Sequence, residues 1–211
     1  MSEDGTIIQA GKLGGRGFFF EAEEQRFVIT AAHCLDRLPP AHPASCLEER
    51  TYKNFLGPMG GRRTVWAECL FVDPIADIAV FGEPDNQELS EKAEAYGELA
   101  GQATAFALGK LRPRDTRREA RLFSLEGVWF PCRVVRTPGA RLWIEKATQP
   151  ILGGMSGSPI ILPDGSAVGV VCISGGDQPE DSQTEGGPNP MLSSDLPVWL
   201  WKATRKRREA E

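Results

Sequence analysis

The sequence predicts an all-β protein of two antiparallel β-barrels, about six strands in each, followed by a short C-terminal helix. Three observations carry this expectation. Short runs of β-branched and aromatic residues recur along the chain, each broken by turn-forming residues, which is the pattern of strands joined by tight connections. The runs fall into two roughly equal sets on either side of Glu88 to Leu99, a stretch suited to a helix or connector. A chain of 211 residues holds two domains of ordinary size, and sheets that close on themselves leave no strand edge exposed. The expected division is residues 1–98 for the first barrel and 99–211 for the second with its helix.

In order, Gly17 to Ala22 and Arg26 to Thr30 form a hairpin around the polar stretch Glu21 to Gln25. Thr64 to Val72 alternates, with Val65, Ala67, Cys69 and Phe71 on one face. Ile78 to Phe81 is a brief apolar strand. The second set is Ala103 to Leu108, Leu122 to Phe130, Cys132 to Val135, Arg141 to Glu145, Ser158 to Leu162 and Ala167 to Ile173. Pro138-Gly139 and Asp164-Gly165 supply the backbone angles of tight turns between neighbouring runs. Gly175 to Pro190, rich in Gly, Pro and acids, is expected as a surface loop. Ser194 or Asp195 is placed to cap a terminal helix through Pro197, Trp199, Leu200 and Trp201.

Composition excludes several classes of function. With 41% hydrophobic and 25% charged residues the chain is that of a soluble globular protein. A net charge of −5 and a pI near 5.3 supply no electrostatic reason for nucleic acid or an anionic membrane as partner. The basic runs Arg112 to Arg121 and Arg205 to Arg208 are expected as a solvated loop and terminus. Met1 to Ala10 carries acids where a secretory signal has cations and then an apolar core, and no apolar run approaches the ~20 residues of a membrane span. A cytoplasmic location is expected. The five cysteines (34, 46, 69, 132 and 172) agree, being odd in number and irregular in spacing. Cys69, Cys132 and Cys172, inside strand-like runs, are expected as small buried hydrophobes.

The residues that carry chemistry are few. Gly153-Gly154-Met155-Ser156-Gly157-Ser158-Pro159 falls between two strands. A nucleophilic serine needs an exposed hydroxyl on a tight turn and backbone amides free to meet an oxyanion, and flanking glycines permit both, although glycines also flank serine in ordinary turns. His33 ends an apolar strand in Thr30-Ala31-Ala32-His33-Cys34, where small neighbours let an imidazole face a cleft; His42, between Pro40 and Pro43, reads as loop. Asp77 begins the short buried strand, where a carboxylate requires a hydrogen-bond partner such as an imidazole N–H. Asp73, before Pro74, is a turn residue. A zinc site at His33, Cys34, His42 and Cys46 is disfavoured, because no paired Cys-x2-Cys knuckle accompanies it.

Taken together, and in the order His, Asp, Ser, these motifs resemble those of the chymotrypsin/trypsin-like serine peptidases, the disulfide-free bacterial-type branch in particular. That order separates them from subtilisin-like and α/β-hydrolase enzymes. The resemblance spans roughly Ile7 to Trp201 and implies a chymotrypsin-like fold, a peptide or protein substrate and no cofactor or metal. It implies His33, Asp77 and Ser156 as catalytic residues, with the N–H groups of Gly154 and Ser156 as the oxyanion hole. It also implies a primary pocket near Pro150, Ser174 and Gly175. No Asp or Glu lies between Ala147 and Met155, which speaks against a preference for Lys or Arg and for an apolar or small residue before the cut. Two departures stand out. Met155 occupies the position where the digestive enzymes carry an acid that pairs with a cleaved N-terminus, and Phe18, Phe19 and Phe20 lie where a disulfide partner for Cys34 would be. A regulatory protein partner fits this reading, and so does the alternative of an inactive, protease-like binding module, since function resides in the site rather than the scaffold.

Overall fold

A computed structural model describes residues 5–11, 14–40, 47–112, 114–172 and 184–201. Its first half grows from the expected hairpin. β1 (Ile7–Ala10) pairs with β2 (Arg16–Ala22), which pairs with β3 (Gln25–Thr30) in the register Gly17–Thr30 to Ala22–Gln25. Glu23 and Glu24 turn the hairpin at φ of 49° and 65°, the two-residue geometry that matches the right-handed twist of the flanking strands. After a single 3₁₀ turn (Ala32–Cys34) and a four-residue helix, α1 (Leu47–Arg50), come β4 (Thr51–Pro58), β5 (Val65–Asp73) and β6 (Ile78–Gly82). The six close into a barrel in the order β1-β2-β3-β6-β5-β4.

Three consecutive phenylalanines on β2 are fully buried, which a strand with one wet face would not allow. Alternation explains it. Phe19 points into the barrel with Val28, Phe55, Phe81 and Tyr96. Phe18 and Phe20 point outward into a second core with Ile29, Ile78, Phe106, Ile161 and Leu200, which joins the barrel to the rest of the chain. Helix α2 (Ser90–Gln102) packs on the barrel through Tyr96, whose hydroxyl donates to the Arg26 carbonyl at 2.9 Å. The Arg26 guanidinium in turn donates to the carbonyls of Ala100 and, at 2.7 Å, Ala103, closing the helix C-terminus.

The second half is a curled six-stranded sheet. It comprises β7 (Arg117–Phe123), β8 (Trp129–Thr137), β9 (Arg141–Glu145), β10 (Pro159–Ile161), β11 (Ala167–Val170) and β12 (Gly186–Pro190) in the order β11-β10-β7-β8-β9-β12. Its edges meet through a bridge from Gly169 to Met191, so it is a half-barrel where the first is closed. Pro188 and Pro190 bring no N–H to that edge, so the ladder cannot be completed there. Leu122, Phe130, Leu142, Ile144, Met155 and Ile160 fill its interior.

Several boundaries differ from expectation. Leu122 to Phe130 is not one strand: residues 124–128 form the turn between β7 and β8, with the Ser124 N–H donating to Val128 O at 2.9 Å and Gly127 at φ 82°. The apolar Leu125 and Val128 that suggested a strand are exposed turn residues. Ala103 to Leu108 is a connector that touches β2 at Phe106–Phe20 and β11 at Leu108–Ala167. Arg117 to Arg121, expected in a loop, belong to β7, and the end of the expected loop, Gly186–Pro190, is β12. β1 and β4 are additional; β4 is hidden in the sequence by the polar pair Lys53-Asn54, where Asn54 turns to φ 53°. Ser194 and Asp195 lie inside a short helix, α3 (Leu192–Asp195), and Asp195 accepts the Met191 N–H at 2.8 Å. Among the described residues no helix is long and apolar enough to cross a membrane.

The barrel interior predicts a graded stability response. Phe81 is fully buried, 4.4 Å between ring centroids from Phe55 and 5.2 Å from Tyr52. Phe81→Ala is expected to lower unfolding free energy by about 3–5 kcal/mol. Val198→Ser, at a side chain 68% exposed, is expected to stay within about 0.5 kcal/mol of the parent. Denaturant titration measures both.

Candidate active site

Strand β3 delivers His33. Ala31 and Ala32 are buried and small, and the 3₁₀ turn that follows the strand swings the imidazole outward, its side chain 41% exposed. Asp77 meets it from the turn before β6. One carboxylate oxygen accepts the His33 backbone N–H at 2.8 Å and the other contacts Nδ1 at 2.6 Å. Both oxygens are thus committed to one residue, and Asp77 holds that pose at φ 60°, a region non-glycine residues seldom occupy. Asp73 accepts the N–H groups of Ile75 and Ala76, each at 2.9 Å, and is the turn residue expected. The hydrogen bond to Asp77, with a further one to Cys34, raises the His33 pKa to about 10 against the opposing effect of burial.

Ser156 lies in the connection from β9 to β10. Ile151 and Met155 anchor that connection in the second core, with the Met155 N–H donating to Leu152 O at 3.2 Å and the Ser158 N–H to Met155 O at 3.0 Å. Gly154 and Gly157 turn at φ 87° and 85° on either side of the serine. Gly157 passes so close to β2 that a Cβ there would stand 1.8 Å from the Arg16 carbonyl oxygen. The Ser156 carbonyl accepts the Arg16 N–H at 2.8 Å, and Thr30 Oγ1 donates to the Arg16 carbonyl at 2.6 Å. Ser156 itself is buried, at 5% exposure, where an exposed hydroxyl was expected; the close passage of Gly157 against β2 encloses the serine loop.

A second set of bonds reaches the acid. The Gly157 N–H donates to Val171 O at 2.8 Å and the Val171 N–H to Ser158 O at 2.9 Å. The next residue, Cys172, donates its thiol to the Asp77 carbonyl at 3.2 Å, while its own N–H donates to Asn189 Oδ1 at 2.9 Å. Asn189 is fully buried and donates to the carbonyls of Leu142 and Gly186, both at 3.2 Å. The serine loop is therefore tied on one side to Thr30, three residues before His33, and on the other to Asp77.

The predicted residues fall into three groups. His33 and Asp77 are directly bonded, and Ser156 sits at the same junction of the two sheets. Gly154 is half-buried, and its N–H has no hydrogen-bond partner among the described residues. Pro150 is exposed, while Ser174, Gly175, His42 and Cys46 lie outside the described residues. Cys34, Cys69, Cys132 and Cys172 are free thiols. Cys34 fills the space that Gly15 leaves, where a Cβ would come within 2.3 Å of its sulfur. Cys69 and Cys132 are buried as expected, Cys69 with its thiol donating locally to Phe71 O at 3.6 Å, whereas Cys172 is half-buried and donates across the junction to Asp77.

Three residues at this junction were not singled out from the sequence: Arg16, Cys172 as a donor, and Asn189. Arg16 carried a signal in its setting, a lone charge between Gly15 and Gly17 at the head of an apolar strand. Asn189, between Pro188 and Pro190, looks like any loop residue.

Comparison with known proteins bears on the family and the fold. The model of the trypsin-like peptidase domain family matches residues 15–170. Among solved structures, the Rv3671c protease from M. tuberculosis in its active form is 15% identical, with 96% of this chain and 81% of that one covered and a TM-score of 0.51. The inactive form of the Rv3671c protease is 18% identical, with coverage of 94% and 88% and a TM-score of 0.51. The NSP4 proteinase from Equine Arteritis Virus is 16% identical, covered at 81% of this chain and 65% of that one, with a TM-score of 0.47. At these identities the likeness is one of fold. Curated proteins yield no sequence match. The matched segment contains the strand and turn of His33, the turn of Asp77 and the loop of Ser156, and on that match the chain belongs to the trypsin-like peptidase domain family, serine endopeptidases of chymotrypsin-like fold.

Proposed function

We propose that the protein cleaves peptide bonds through a Ser156-His33-Asp77 triad and an acyl-enzyme intermediate. The carrying observation is the double grip of the Asp77 carboxylate on His33, at 2.8 and 2.6 Å. With Nδ1–H donating to Asp77, the neutral ring keeps its lone pair on Nε2, the atom that must take the hydroxyl proton. In this reading Ser156 Oγ attacks the substrate carbonyl and its proton passes to His33 Nε2. The resulting oxyanion is met by the N–H groups of Gly154 and Ser156. His33 then returns the proton to the departing amine, and a water activated by the same base releases the acyl group. Asp77 keeps the tautomer and stabilises the imidazolium.

The finer features of this reading have separate support. The absence of acids from Ala147 to Met155 favours an apolar or small residue before the cut over Lys or Arg. Met155, buried in the second core, offers no ion pair to a new N-terminal ammonium, so activation without such a cleavage is favoured. Free thiols at Cys34, Cys69, Cys132 and Cys172 fit a reducing compartment such as the cytoplasm. The proposed division into two domains falls near residue 98, within α2.

Two experiments test the triad. A fluorophosphonate probe is expected to label the wild type and not Ser156→Ala. Ser156→Ala and His33→Ala should each lower kcat by about 10⁴-fold or more, with no further loss in the double variant, because residues acting as a unit do not add. His42→Ala should match the wild type. Full peptidase activity in either the Ser156 or the His33 variant refutes the assignment, and a folded wild type that takes no label points to a binding module.

The second experiment is a pH profile. A general base works only when neutral, so a His33 pKa raised by Asp77 makes kcat/KM climb along a limb centred above the ordinary histidine value of about 6.5. Asp77→Asn should move that limb down towards 6.5 and cut kcat roughly 10⁴-fold. Stability runs the other way. The folded pKa lies above the unfolded one, so the pair's stabilisation is complete below about pH 6.5 and is lost as pH rises through about 10. A wild-type limb centred at or below pH 6.5 contradicts the proposed coupling.

A further inference from the structure

Arg16 is an anomaly on β2. It is 3% exposed, yet among the described residues its guanidinium makes no ion pair. Its Nη1 instead donates to two consecutive carbonyls of the other sheet, Phe123 O at 2.9 Å and Ser124 O at 3.0 Å, and its Cζ lies 5.5 Å from the centre of the Phe123 ring. Burial pulls its pKa below the usual arginine range, an effect that the charge of Glu126 opposes. A buried guanidinium with no direct ion pair among the described residues is unfavourable for folding, and an apolar side chain would join the two sheets at lower cost. The position therefore calls for an explanation beyond stability.

The two ends of the residue supply one. Its backbone N–H holds the Ser156 carbonyl at 2.8 Å, so the main chain of Arg16 fixes the serine. Its side chain holds the start of the turn at 124–128, which the Ser124–Val128 bonds at 2.9 and 3.2 Å then close. That turn presents Leu125, whose Cδ2 lies 3.5 Å from the point where a Cβ on Gly154 would be. One residue thus spans from the carbonyl of Ser156 to the turn that covers Gly154, the two residues whose N–H groups the proposed mechanism aims at the oxyanion.

We propose that Arg16 is a positioning residue for the oxyanion side of the site: by clamping the carbonyls of Phe123 and Ser124 it holds Leu125 over Gly154 and keeps the Gly154 and Ser156 N–H groups convergent. The inference rests on the triad reading above. Both bonds leave one terminal nitrogen, held at the end of the rigid guanidinium plane, whereas an ammonium is a compact donor on a flexible stem and reaches a different point. The contribution of Arg16 belongs to the transition state, since convergent donors matter most once negative charge develops on the carbonyl oxygen.

The test compares wild type, Arg16→Lys, Arg16→Met and Leu125→Ala, with rates normalised to sites titrated by the fluorophosphonate probe so that loss of folded protein does not count. Arg16→Met is expected to lower kcat roughly 10- to 100-fold, the scale of a small misplacement at a reacting centre, with KM within about threefold. Its affinity for a peptide boronate, which forms a tetrahedral adduct on the serine, should weaken by the same factor as kcat, and its affinity for a cleaved product peptide should not change. Arg16→Lys should recover only part of kcat. A purely structural role would lower the melting temperature and leave kcat per titrated site intact, and that result overturns the proposal. Should Arg16→Met not fold, the decision passes to Arg16→Lys and to Leu125→Ala, whose side chain is 43% exposed; wild-type kcat in both overturns it equally. A wild type that takes no probe removes the triad reading and this inference with it, whereas a labelled wild type with unaltered variants removes the inference alone.

Discussion

The approach of Gly157 to the Arg16 carbonyl sets how the two sheets sit together. No side chain fits between them, so the separation there is one of backbone against backbone. The Arg16 N–H to Ser156 carbonyl bond and the Thr30 hydroxyl bond to the Arg16 carbonyl then define direction as well as distance. The apolar cluster around Phe18, Phe20, Phe106 and Ile161 provides most of the attraction across the junction, but hydrophobic burial is non-directional. Main-chain bonds turn that attraction into one orientation. The serine inherits its place from the same atoms, because its own carbonyl is a member of the set.

Around the acid the arrangement is a chain of hydrogen bonds rather than a single pair. Asn189 holds the backbone of Cys172, the Cys172 thiol holds the backbone of Asp77, and Asp77 holds His33 by both its backbone and its ring. Each link leaves the next with fewer orientations, and in a low-dielectric setting such networks are strengthened when complete. The left-handed backbone of Asp77 is kept in place by three hydrogen bonds, two with His33 and one from Cys172. Burial pushes the Cys172 pKa well above its usual value, so the thiol keeps the proton it donates. Buried asparagine and protonated thiol, both uncharged, carry the support towards the one carboxylate that needs it.

What the sequence disclosed and what it hid follow from the range of the forces involved. The candidates His33, Asp77 and Ser156 could be named from the sequence because each sits in a local pattern that the proposed chemistry demands: small residues beside the histidine, an acid at the head of an apolar strand, glycines around the serine. The β2–β3 hairpin was legible for the same reason, its turn and its alternation being local. The split of β7 from β8 was not, because Leu125 and Val128 are apolar residues exposed in a turn, and periodicity assigns them to a strand. β12 was masked by its prolines and glycines. The partners of Arg16 and Asn189 were invisible because they lie far away in the chain, at Phe123, Ser124, Leu142 and Cys172.

The order in which these parts occur along the chain has a consequence for the cell that makes it. The first barrel is complete by Gly82 and by then contains both histidine and aspartate. A polypeptide emerging N-terminus first forms such a unit before its later segments exist. On the proposed assignment, that early product is harmless, a base and an acid with nothing to activate. The hydroxyl arrives next, and the segment just after β11 bearing Val171 and Cys172, which tethers the serine loop to the aspartate, follows it. On that assignment cleaving power is withheld from the nascent chain until Cys172 has been synthesised, and a ribosome-bound fragment truncated between Gly82 and that point is a protein with a finished first barrel and no ability to cut.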